Sequence, residues 1–379
     1  MGERKLGLYI HIPFCQKKCN YCDFTSYPNM ESYWEVYITA LTDELKLISE
    51  KFQNSIISTV FIGGGTPSLL PPVYIEQIFE CIYKFYNVET NCEISIETNP
   101  GTLSAPKLKT YRDAGINRLS IGLQACQDVL LKKLGRIHTF DDFINAVNMA
   151  DKFGFDNINA DIIFGIPEQS LSDWKETINL VTALGLTHIS CYSLLIEEGT
   201  VFGDLKEKGL IKEADDILDR EMYHYAKNYF SEKGYKQYEI SNFAKPQYQC
   251  LHNMNYWERG EYIGIGAGAH SLIKNRRYAN IPDVLDYIEG IRANTPVLAE
   301  DTLLSLDEAL AEKMILGLRL NKGVDLRKVS EEFGVDVVMR YEKSIDTLLK
   351  KNLIEIDQKV IKLTERGFDL ANSVFVEFI

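Results

Sequence analysis

Three cysteines, Cys15, Cys19 and Cys22, sit in one short segment, YIHIPFCQKKCNYCDF (9–24), with the spacing C-x3-C-x2-C. Thiolates are the ligands of iron–sulfur clusters, and three of them so close together can hold three irons of a 4Fe–4S cube while the fourth stays open. A tetrahedral zinc site would need a fourth ligand. His11 is the nearby candidate, and the apolar run around it places it in a strand ahead of the loop. The other five cysteines (Cys81, Cys92, Cys126, Cys191, Cys250) are scattered singles. Such usage is not a secreted disulfide framework; it reads as metal binding in a reducing compartment.

Further polar residues fall at the ends of apolar runs. GGGTP at 63–67 offers glycines that let the backbone approach a ligand and a hydroxyl on Thr66, although a turn stopped by Pro67 has the same sequence. Glu97 in ETNPG has a carboxylate suited to ribose hydroxyls or to capping a helix. Asp161, in NADIIFG, puts a charge inside an apolar run, which is costly unless it is paired or faces a polar site. Arg136 in LGRIH suits a carboxylate held in a two-pronged fork, and Gln124 closes SIGLQ.

The elements that must position these groups follow from hydrophobic patterning. Strands are predicted at 7–12, 58–62, 93–97, 117–121, 157–163 and 187–193. Helices are predicted at 31–51, 72–86, 104–114, 127–134, 140–153 and 170–184. Six strands alternating with helices predict a parallel sheet, too few for a closed eight-fold barrel, hence an open, partial (β/α)6 barrel. Functional residues of such barrels gather at the carboxyl ends of the strands. After about residue 200 the pattern changes: a Tyr-rich helix at 216–233, then an irregular, aromatic stretch at 236–280. Within that stretch, 260–277 reads as a close-packed strand and turn beside the mouth. From about 303 come helices at 306–320, 325–333 and 337–351, strands at 353–356 and 359–363, and a last helix near 364–377. That order predicts a winged-helix-like C-terminal domain. The expected division is 1–200, 201–300 and 301–379.

A chain of 379 residues with a net charge of −13 and no basic stripe is not a nucleic-acid surface reader. It has no apolar stretch long enough for a signal peptide or a membrane span. A cytoplasmic location is expected.

The cysteine spacing, together with GGGTP, ETNP and SIGLQ, resembles the radical S-adenosylmethionine (SAM) proteins, an α/β fold class built on a partial, TIM-like (β/α)6 barrel. There three cysteines bind the cube and SAM chelates the open iron. The resemblance implies that Tyr9, Tyr21, Gly64, Gly65, Thr66, Glu97, Gln124, Arg136 and Asp161 serve SAM. Across the whole chain it narrows to the branch that holds the oxygen-independent coproporphyrinogen III oxidases and the HemW-type haem chaperones. The oxidases carry a further cysteine two residues after the third, where this chain has Phe24, and they have a longer N-terminal extension. Both departures point to the chaperones.

HNMNYW at 252–257 matches the HNxxYW motif of those chaperones. His252 can offer a neutral ring nitrogen to haem iron, Tyr256 and Trp257 flat faces to the porphyrin, and Asn253 or Asn255 a partner that orients the imidazole. A buried aromatic cluster around a hydrogen-bonded histidine has the same signature. His270 is a second candidate ligand. Lys274, Arg276 and Arg277 suit either propionates or a solvated turn. The resemblance implies a protein that binds haem b, one 4Fe–4S cluster and SAM, and hands haem to acceptors such as respiratory enzymes. It also implies cluster-linked dimerisation and docking at a membrane. The alternative is an oxidase that decarboxylates coproporphyrinogen III by radical chemistry.

Overall fold

The computed structural model describes residues 4–379. Six parallel strands lie side by side in sequence order: β1 (Arg4–Ile12), β2 (Ser55–Gly64), β3 (Asn87–Thr98), β4 (Arg118–Gln124), β5 (Asn157–Phe164) and β6 (His188–Ser193). They are the predicted six. The strands are largely buried, yet polar residues such as Ser95, Arg118, Ser120, Asn159 and Ser190 are interleaved with the apolar ones and buried with them. Helices return the chain between them: α1 (Trp34–Ser49), α2 (Pro72–Phe85), α3 (Ala105–Asp113), α4 (Asp128–Lys133), α5 (Phe140–Lys152) and α6 (Leu171–Ala183). The start of α5 is fixed by a reciprocal Thr139–Asp142 cap and that of α6 by Ser170–Asp173.

The sheet does not stop at six strands. Beyond β6 it gains β7 (Lys236–Gln237) and β8 (Asn242–Ala244), which are antiparallel to their neighbours. On the other flank β9 (Tyr262–Ile265) runs parallel to β1, followed by antiparallel β10 (His270–Ile273), β11 (Arg276–Asn280) and β12 (Leu298–Leu303). The whole is an open sheet of twelve strands. The stretch expected to be irregular, 236–280, therefore supplies strands and a short helix. In chain order the helices of this half are α7 (Val201–Glu207), α8 (Asp216–Glu232), α9 (Leu251–Trp257) and α10 (Val284–Arg292). The expected connecting segment 201–300 is not a separate body: Met222, Phe230, Phe243, Ile263 and Tyr287 belong to the same buried core as the barrel strands.

The C-terminal part has its own core, from Leu310 to Phe378. It contains α11 (Leu306–Leu318), α12 (Leu326–Phe333), α13 (Val337–Arg340) and α14 (Glu342–Lys350). A three-stranded sheet of β13 (Val324–Asp325), β14 (Ile354–Asp357) and β15 (Val360–Leu363) follows the winged-helix order. The single helix expected over 337–351 is broken at Tyr341, whose φ and ψ of −108° and 20° leave the helical range.

One buried carboxylate ties α1 to the β9–β11 flank. Glu44 accepts hydrogen bonds from the Tyr287 hydroxyl (2.6 Å), the Gly266 amide (2.8 Å) and the Asn280 side chain (2.7 Å), all out of water. Replacing it by Leu strands three buried donors, at roughly 1–3 kcal/mol each before relaxation. Glu44→Leu is therefore expected to lower unfolding stability by about 3 kcal/mol, read from the urea midpoint; an unchanged midpoint would show that the network does not hold this flank.

Candidate functional site

The cysteine loop leaves the carboxyl end of β1. Its two ends are clipped together where Phe14–Cys15 pairs in parallel with Tyr27–Pro28. Between Cys19 and Cys22, Asn20 pins the loop to the end of α4: its amide donates to Leu134 O (2.9 Å) and its side chain to Lys133 O (2.8 Å). All three cysteines are partly accessible and line one cavity of about 390 Å³. Thr66 donates to Cys15 Sγ (3.6 Å) and the Arg136 guanidinium to Cys19 Sγ (3.5 Å). Burial raises the Cys15 and Cys22 thiols above their ordinary range. Among the described residues no three His, Cys, Asp or Glu side chains close on a point that one metal ion would fill. His11 lies in β1, as expected, and both its ring nitrogens are engaged, with the Tyr9 hydroxyl (2.9 Å) and Thr25 O (2.8 Å).

The same cavity is lined by Tyr21, Gly64, Gly65, Thr66, Glu97, Gln124, Arg136 and Asp161, so eight of the nine residues singled out for SAM face the cysteines. Tyr9, the ninth, lines two adjoining cavities instead. The glycines are required. At Gly64, with φ of 112°, a Cβ would come within 2.5 Å of the His11 ring, and at Gly65 within 2.6 Å of Phe14 O. Gln124 is itself at φ of 76°, where the β4–β5 register shifts; a non-glycine residue in that region is uncommon and tends to mark a functional site. Arg136 is occupied by its own chain, bonding Gly122 O (2.7 Å) and Asn99 Oδ1 (2.6 Å) as well as Cys19. Its two-pronged fork is turned to the loop rather than left free for a carboxylate. Asn99, which also donates to Thr66 (3.0 Å), joins Arg136 to the glycine turn; it stood in ETNPG beside Glu97 and sequence reasoning passed over it.

Glu97 and Asp161 are both buried carboxyls facing this space. Burial raises Glu97, and the nearby Asp161 charge adds to it, to about 8, although its carboxylate accepts the Gly64 amide (3.0 Å). Asp161 is raised by burial and partly relieved by Asn159 (2.9 Å) and Ser120 (3.1 Å). Beneath them Arg118 is buried, and its Nε has no hydrogen-bond partner. It borders a third cavity of about 330 Å³, together with Glu97, Asp161 and His252. No sequence signal pointed to Arg118.

HNMNYW forms α9, and Glu93 on β3 caps it by accepting the amides of Leu251 (2.9 Å) and His252 (3.0 Å). His252 is fully buried. One ring nitrogen bonds Thr59 (2.8 Å) and the other Tyr256 (2.8 Å), with Phe61 stacked at 5.3 Å. Burial, with the Arg118 cation nearby, lowers it to about 3. It is a neutral imidazole, as an iron ligand must be, yet neither nitrogen is free. Tyr256 and Trp257 do reach open space. They line an outer cavity of about 550 Å³ with Phe24, Tyr262, Leu272, Leu316, His270 and Arg277. Of the three basic residues considered for propionates, Arg277 lines this cavity. Arg276 pairs with Asp301 and Lys274 is exposed on the turn.

Barrel, cysteine loop and C-terminal domain together define a radical SAM fold. The radical SAM superfamily model matches residues 9–181 and that of the HemN C-terminal domain residues 304–370. Coproporphyrinogen III oxidase (HemN) from Escherichia coli has the same fold, with a TM-score of 0.88 over 99% of this chain and 90% of that one, at 22% identity. Heme chaperone HemW of Lactococcus lactis is 35% identical over 379 residues, all of this chain and 98% of that protein. Its counterpart in Bacillus subtilis is 36% identical over 98% of each chain. The chain belongs to the HemW family. Among the described residues no helix is long and apolar enough to cross a membrane.

The proton on Glu97 has a thermodynamic consequence. Between its ordinary value of 4.5 and about 8 the folded protein holds a proton that the unfolded chain has released. Stability of the cofactor-free protein must then fall as pH rises through that window and level off above it. Glu97→Gln removes the contribution, so the wild-type advantage is expected to shrink by on the order of a few kcal/mol between about pH 5 and 8. Parallel stability curves for the two proteins would mean that Glu97 is already ionised at neutrality.

Proposed function

We propose that this chain is a haem chaperone that carries haem b and delivers it to haem-dependent acceptors such as respiratory enzymes. On this reading it also holds one 4Fe–4S cluster on Cys15, Cys19 and Cys22, with SAM beside it. The observation that carries the reading is similarity over the full length to proteins named heme chaperone HemW. Phe24, in place of the oxidases' extra cysteine, is 64% exposed at the rim of both the cysteine cavity and the outer cavity.

The donor set fits the cofactors. Three thiols face one space, a guanidinium is ready to offset their charge, and a glycine wall with no room for a Cβ leaves space for a ligand. When bound, the cube would supply an open iron for the amino and carboxylate groups of SAM. This chain's own residues do the rest. Gly64, Gly65 and Thr66 offer close backbone approach and a hydroxyl. Glu97, Gln124 and Asp161 present polar groups to the ribose and amino ends, Tyr21 walls the loop side, and Tyr9 closes the boundary with the outer cavity. Arg136 neutralises thiolate charge beside Cys19. Tyr256 and Trp257 give the porphyrin its flat faces, and His252 positions the Tyr256 hydroxyl. A cytoplasmic location follows the cysteine usage, which suits a reducing compartment; pairing of two copies through the cluster and docking at a membrane rest on the family resemblance alone.

Anaerobic reconstitution tests the reading directly. The wild-type protein is expected to take up one cluster and to bind haem stoichiometrically, seen as a saturating Soret band, then to pass it to an apo-acceptor. Cys19→Ala is expected to lose cluster iron and sulfide. A wild-type protein without stoichiometric haem binding would end the chaperone reading. Conversion of coproporphyrinogen to protoporphyrinogen with SAM and reductant would replace it by the oxidase.

A further inference from the structure

We propose that the iron of the carried haem is bound by His270, at the rim of the outer aromatic cavity, and that Arg277 holds a propionate; the inference rests on the chain being a haem carrier. The chain has six histidines. Five are already engaged through their rings: His11 with Tyr9 and Thr25, His138 with Leu123 O, His188 with Asn159 and Tyr238, His224 with Asp369, and His252 with Thr59 and Tyr256. Among the described residues the His270 ring has no hydrogen-bond partner, and it is exposed. Binding iron through His252 would instead break a 2.8 Å bond at one nitrogen or the other and open the barrel floor to a macrocycle. Freeing a buried donor or acceptor in this way leaves a polar group unsatisfied out of water. His270 incurs no such loss.

Strand geometry places the other groups correctly. His270 and Leu272 share one face of β10 because side chains alternate along a strand, and both line the cavity. Leu272 pairs with Arg277 across the β10–β11 ladder, and Arg277 lines the same space. Trp257, Tyr256 and Tyr262 supply the apolar walls, the two tyrosine rings meeting edge to face at 4.6 Å. The cavity, at about 550 Å³, lies within the roughly 300–1,000 Å³ usual for small-molecule sites.

Charge completes the match to an iron porphyrin with carboxylate arms. Glu312 is shared by Arg259 (3.0 Å) and Arg277 (2.9 Å), so one carboxylate faces two guanidinium ions. Arg259 is 5% exposed and also bonds Asn275 (2.8 Å), whereas Arg277 is 31% exposed. Arg277 therefore presents a partly exposed guanidinium at the cavity wall, one with the geometry to fork a carboxylate, in a lining that also holds Asp23 and Glu97.

The test titrates cluster-loaded protein with haem and reads both affinity and the iron–imidazole stretch of the ferrous form by resonance Raman. His270→Ala is expected to lose that stretch and at least tenfold in affinity. His270→Gly is expected to recover it on addition of free imidazole, which separates loss of the ligand from loss of the fold. Arg277→Met is expected to weaken haem about three- to tenfold but to leave haem dimethyl ester unaffected. Retention of the stretch in His270→Ala, with its loss in His252→Ala, would return the iron to His252 and overturn the proposal while leaving the carrier reading intact. A wild-type protein that binds no haem would overturn both.

Discussion

Everything at the mouth of this barrel depends on β1 being hydrogen-bonded along both flanks. A strand held by β2 on one side and by β9 on the other has no edge to fray, and it ends where the cysteine loop begins. The Tyr37 hydroxyl locks that end from behind, donating to His11 O (2.8 Å) and accepting the Ala267 amide (3.0 Å). Glu44 secures the same flank from α1. The loop is thus launched from the most constrained segment of the sheet, which suits a site whose three thiols must stay in fixed relation while ligands come and go.

The interior of the barrel mouth is polar at a cost. Glu97 and Asp161 are carboxyls taken out of water, and Arg118 is a buried cation whose Nε has no hydrogen-bond partner. Buried charge is tolerated only where it is balanced or neutralised. Here both occur: Asp161 is wrapped by neutral donors, and Glu97 is pushed toward its protonated form. Such groups stabilise a fold poorly, so their presence together around one interior cavity is evidence of a binding surface rather than of a core.

Much of this was legible in the sequence. The six parallel strands carry short apolar, β-rich runs, and most of their helices have the apolar spacing or caps that mark them. The three cysteines and eight of the nine residues expected around them meet in one cavity. What was not legible has physical causes. The helix α9 has seven residues and takes its cap from Glu93, 158 positions away from Leu251, so no local signal announces it. All six residues of β12 are exposed, which erases the alternation that marks a strand. In HNMNYW the residue types of a haem site and of a packed aromatic cluster coincide, so the sequence alone does not separate the two. Arg118 opens a strand, where an arginine ordinarily reaches solvent, and its burial follows from what β3 and β5 place around it.

Glu97 and Gly64 border the cysteine cavity on one side and the aromatic cavity on the other. A wall common to two compartments makes them thermodynamic neighbours. A ligand that draws the Glu97 proton or shifts its carboxyl on one side alters what is met on the other, and linkage makes the effect mutual and equal in free energy. Occupancy of the two compartments is then coupled across their shared wall, with no need for any moving domain.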